Sequence, residues 1–129
     1  MSNFVVIVPW IDQANPEGAS LPVLFNRDDM ACVALNFNDG GLGLTVHMRG
    51  VNDDASFDLM EYGTLGIKDK SPMTYDAVDM AFFSELSQLL YAAILDPKRS
   101  TIHISEVAKK ALETQAGIDL MAHAKKAKR

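Results

Sequence analysis

The chain has 129 residues, of which 48% are apolar and 22% charged, with a formal net charge of −5. That length suits one domain burying roughly two-thirds of its unfolded surface, and the balance excludes disordered and fibrous classes. The single cysteine, Cys32, excludes an internal disulfide and, taken alone, a zinc site; it points to a reducing compartment.

Charge is unevenly placed. Residues 1 to 96 hold 4 Lys and Arg against 14 Asp and Glu, and residues 97 to 129 hold 8 against 3. The chain is therefore an acidic body with a basic end, and only that end is drawn to anionic partners.

Phe4 to Val8, closed by Pro9 and Asp12, is an apolar run with no basic segment before it, so it reads as a buried strand and not as a signal peptide. Leu21 to Asn26 reads as a second strand, which Pro22 places at a sheet edge. Ala31 to Asn38 and Leu42 to Arg49 alternate apolar with polar residues around Asp39-Gly40-Gly41, the pattern of an antiparallel hairpin with one wet face. In that pattern Cys32 has small neighbours, Ala31, Val33 and Ala34, and reads as a buried structural thiol. Ala55 to Tyr62 and Thr64 to Lys68 continue as strands, after a polar connection from Gly50 to Asp54.

Helical periodicity follows. Ser71-Pro72 or Thr74 offers a cap for a helix whose Val78, Phe82, Leu86, Leu89 and Ala93 form one stripe, widened by Phe83 and Leu90, and which Asp96-Pro97 ends. Asp79, Ser84, Glu85, Ser87 and Gln88 interrupt it, so a core helix is expected and not a membrane span. A stripe so wide wants cover on two sides, from the sheet plus the C-terminal helix or from the sheet plus another subunit. Ser100 to Ile104 alternates like a strand, and Ser105 then caps a helix to at least Ala116. Gly117 either stops that helix or lies within it. The expected fold is α+β, an antiparallel β-meander of five or six strands against the long apolar helix and a C-terminal helix. It forms a single domain over residues 1–124, with a basic end at 125–129.

No catalytic constellation emerges. His47, His103 and His123 lack the spacing of paired metal ligands, and no Gly-x-Ser-x-Gly elbow occurs. Asp53, Asp54, Asp58 and Glu61 crowd one region, but on a regular strand Asp58 and Glu61 have opposite parity and face opposite sides. No metal or cofactor is expected. The reading that remains is a non-enzymatic assembly or interaction protein, an oligomeric structural or adaptor component of the kind common among viral proteins. It would use its acidic body and the tail residues Lys125, Lys126, Lys128 and Arg129 for self-association or docking on a larger complex.

The alternative is a virus-encoded inhibitor that places the acidic face of Asp53, Asp54, Asp58 and Glu61 in a basic, nucleic-acid-binding cleft of host machinery. A third reading, below both, is a ligand-binding protein or enzyme using His47, Arg49, Asp58 and Tyr62. Nucleic acid is disfavoured as a direct partner because four terminal cations release few counterions. The expected location is cytoplasmic, or the virion within an infected cell.

Overall fold

Six short strands and three helices are built from these patterns, among the residues that the computed structural model describes: 3–10, 22–38, 41–50, 52–65 and 75–127, with only the backbone at 38, 62, 63, 126 and 127. The strands are β1 (Phe4–Val8), β2 (Val23–Asn26), β3 (Met30–Asn38), β4 (Gly41–Met48), β5 (Ala55–Glu61) and β6 (Thr101–His103). The helices are α1 (Ala77–Leu95), α2 (Ile104–Glu113) and α3 (Gln115–Ala127).

The architecture is α+β, but the strands do not form one meander. They divide into two three-stranded sheets, ordered β2-β1-β6 and β3-β4-β5. In the first, β1 is central, antiparallel to β2 and parallel to β6. Its alternation buries Val5 and Ile7 completely. A parallel partner arriving nearly 100 residues later leaves no local pattern, which is why the chain reads as a continuous meander and folds otherwise. β2 lies at a sheet edge, as Pro22 requires, while Leu21 lies outside the described residues.

The second sheet is the expected hairpin extended by β5. Leu35 pairs with Leu44, Val33 with Val46 and Phe37 with Leu42, so the apolar sets share one face; Asp39 and Gly40 of the turn lie outside the described residues. Two bulges interrupt the ladders, at Ala31 in β3 and at Leu59 in β5. The carbonyl of Leu59, displaced from the β4 ladder, accepts the Trp10 N–H at 2.8 Å, joining the end of β1 to the second sheet. Thr64 and Leu65 belong to a 3-10 turn (Tyr62–Leu65) and not to a strand; residues 66–68 of that expected strand lie outside the described residues.

α1 supplies the centre of the core. Phe82, Phe83, Leu86, Leu90 and Ile94 are buried, each contributing about 1.5 to 3 kcal/mol. α1 is long and apolar enough to cross a membrane, and here those side chains pack into the core with Asp79 fully buried. α2 and α3 pack on it, covering the wide stripe from within the same chain. On the other side Phe37 of β3 stacks on Phe83 with ring centroids 3.8 Å apart, and Tyr91 Oη accepts the outward Leu35 N–H at 3.1 Å. The helix thereby covers part of the β3 edge.

The helix starts also differ from the sequence reading. α1 is capped by Asp76, whose carboxylate accepts from the Val78 and Asp79 N–H groups while Asp79 accepts from the Asp76 N–H; residues 71–74 lie outside the described residues. α2 starts at Ile104 with His103 as its cap residue, two positions before the cap expected at Ser105. The C-terminal helix breaks at Thr114, three residues before Gly117. Thr114 Oγ1 donates to the Ala111 carbonyl at 2.5 Å and accepts the Gly117 N–H at 3.3 Å, closing α2 and opening α3. Gly117 is needed for close approach, since a Cβ there would overlap the backbone of Ala111 and Leu112.

Candidate functional site

The polar face of the β3-β4-β5 sheet gathers most of the residues that the sequence singles out. Across β4 the odd-numbered positions Gly41, Gly43, Thr45 and His47 face outward, opposite the apolar Leu42, Leu44 and Val46. Asn36 Nδ2 donates to Thr45 Oγ1, and Thr45 Oγ1 lies 3.2 Å from Ser56 Oγ, so one polar line crosses all three strands. A second begins at His47, whose Nδ1–H donates to Asp54 Oδ1 at 2.7 Å. Asn36 and Cys32 have the same parity on β3, which sets Cys32 on this face directly opposite His47.

The bulge at Leu59 changes the disposition of the carboxylates. Asp58 pairs with Gly43 and Glu61 with Gly41, two positions of equal parity on β4. The extra residue therefore turns Asp58 and Glu61 to the same face, where a regular strand would set them apart. Both are exposed, as are Asp53 and Asp54 in the connection before β5. The three strands contain no Lys or Arg, so nothing within the ladder neutralises these groups.

Cys32 is exposed and not a buried structural thiol. Its small neighbours reflect the bulge at Ala31 and an open surface, a combination that sequence composition does not distinguish from a tight core.

At the other end of the chain, α3 runs through Lys125, which is exposed, to Ala127. The side chain of Lys126, together with Lys128 and Arg129, lies outside the described residues. The helix is fastened before that point, where His123 Nε2 lies 3.2 Å from Asp76 Oδ2 at the start of α1. His103 is exposed between two buried isoleucines.

Of the enzyme-like grouping of His47, Arg49, Asp58 and Tyr62, the side chain of Tyr62 lies outside the described residues. A groove of about 370 Å³ between the two sheets is lined by Phe4, Leu24, Phe25, Met48 and Phe57, and not by His47, Arg49 or Asp58. Among the described residues no three His, Cys, Asp or Glu side chains gather as metal ligands. Comparison with protein families, with curated proteins and with solved structures finds no match to this chain.

Proposed function

We propose that this chain is a non-enzymatic interaction protein whose acidic sheet face receives a basic segment, the C-terminal end of a second copy or of a larger complex. The observation that carries the reading is that Asp58 and Glu61 of β5 share a face with His47, which Asp54 binds from the preceding connection, on three strands devoid of Lys and Arg. A surface of one sign attracts its complement over about a Debye length, near 8 Å at physiological salt, and repels its like. The cationic end of α3 is such a complement, and it belongs to every copy of the chain.

The test is the solution mass by light scattering at low and high salt. The full chain should associate at low salt and dissociate as salt rises. A version ending at Ala124, which keeps His123 on Asp76, should stay monomeric at both, and so should Asp58→Lys/Glu61→Lys. Unchanged association after both alterations would remove the proposal.

A second reading rests on the same face. If the full chain is monomeric throughout, the carboxylates fit a basic cleft on a different protein, and the inhibitor reading takes precedence. Capture of a basic nucleic-acid-binding protein, lost in the Asp58→Lys/Glu61→Lys chain, would then be expected.

A further inference from the structure

Away from the acidic sheet, a groove of about 240 Å³ lies between the C-terminal half of α1 and α2. Its floor is apolar: Leu89 and Ala93 of α1 and Val107 of α2, the last two buried. Four charged side chains line it as well, Asp96 and Arg99 from the end of α1 and the turn after it, and Glu106 and Lys110 from α2. Two cations and two anions cancel, yet among the described residues none of the four forms an ion pair. Glu106 and Lys110 are four apart on one helix, the usual spacing of a pair, and even they do not close one.

Arg99 is firmly placed. Its N–H donates to the Asp96 carbonyl at 3.1 Å, and its own carbonyl accepts from Nη2 of Arg27. Its side chain, by contrast, forms no hydrogen bond or ion pair among the described residues, although the residue is half-buried. The two carboxylates differ in the same respect. Asp96 Oδ1 is already engaged, accepting the Lys98 N–H at 3.0 Å, whereas both carboxylate oxygens of Glu106 are open.

We propose that this groove binds a free α-amino acid with an aliphatic side chain. The Arg99 fork takes the carboxylate, with Lys110 as a second cation, and Glu106 takes the ammonium. The aliphatic side chain covers Leu89, Ala93 and Val107. A ligand of one sign would meet two like charges in the lining, whereas a zwitterion satisfies groups of both signs and supplies the pairing that the fold leaves open. A volume of about 240 Å³ falls short of the ~300 to 1,000 Å³ of drug-sized sites and fits a ligand of this smaller class. The groove is separate from the carboxylates of β5, so the proposal stands whether or not the sheet face docks a basic segment.

The experiment titrates L-leucine into the full chain at neutral pH and follows the backbone amide signals by NMR. Saturable shifts should centre on Ala92, Arg99 and Val107, with a Kd of about 1 mM, a value within reach of so small a ligand. N-acetyl-leucine lacks the ammonium and leucinamide lacks the carboxylate; each should bind ~10-fold more weakly, the loss expected when one charged hydrogen-bonding partner is removed. Arg99→Met, which keeps the aliphatic stem and both main-chain contacts, should weaken leucine binding by a similar factor. The analogues act on the unaltered protein, so the test does not depend on how well the variant folds. A loss of about threefold or more with both analogues supports the proposal; a smaller loss with either, or no saturable shift in the groove, overturns it. Glycine binding as tightly as leucine would overturn the role of the apolar floor.

Discussion

Asp76 shows how much one residue settles. Its carboxylate satisfies two N–H groups at the start of α1, the buried Asp79 returns the favour to the Asp76 N–H, and its second oxygen faces His123 of α3. Replacing Asp76 with Ala removes the cap and the interhelical contact together. We expect a loss of about 1 to 2 kcal/mol, read as a lower urea midpoint with an unchanged slope. The sequence reading offers Ser71 or Thr74 as the cap, although Asp76 is as good a cap residue as either. The deciding signal is Asp79, three positions after Asp76, which completes a reciprocal box that the other two candidates lack. Cys32 and the Asp58/Glu61 pair show the opposite case. Their exposure and facing depend on bulges at Ala31 and Leu59, and no residue type in those stretches announces an extra position in the ladder.

At the level of elements, the strongly periodic segments were legible: the β3-β4 hairpin, the existence and C-terminal end of α1 and the edge position of β2 follow from alternation, helical spacing with Asp96-Pro97, and Pro22. β6 was legible as a strand but not as a partner of β1, since pairing over such a separation is decided by packing and not by local pattern. The α2-α3 break was the hardest to read. Gly117 looks like a terminator, yet the termination belongs to Thr114, and the glycine serves the contact that the break creates. Gly117→Ala should therefore destabilise the protein by more than its helix propensity, which alone would favour Ala by about 1 kcal/mol. A net loss of about 1 to 3 kcal/mol in thermal unfolding is expected, the range of an overpacked site, and a gain would show that α3 does not rest on the end of α2.

The whole molecule is held by contacts between segments far apart in sequence. Arg27, in the 3-10 turn between β2 and β3, sends its guanidinium to the end of α1. Nε donates to the Ile94 carbonyl at 2.5 Å and Nη2 to the Arg99 carbonyl. This satisfies a helix-end carbonyl that α1 cannot pair internally, and it ties the sheet to the helix over a span of 67 residues. Arg27→Met keeps the aliphatic stem but not the donors; it should cost about 1.5 to 3 kcal/mol, measured by urea denaturation. Charge segregation, the feature that the sequence displays most openly, is a property of this same scale. Its consequence depends on which carboxylates share a face, and that was not legible until the Leu59 bulge was placed.

Trp10 is the chain's sole indole, half-buried against the core, and its backbone N–H grips the bulged Leu59 of β5 just beyond the end of β1. Its emission therefore gauges a seam: a red shift reports that the two sheets have parted, whether or not either has melted. Paired with far-ultraviolet ellipticity, that colour change distinguishes a molecule that opens like a book from one that comes apart all at once.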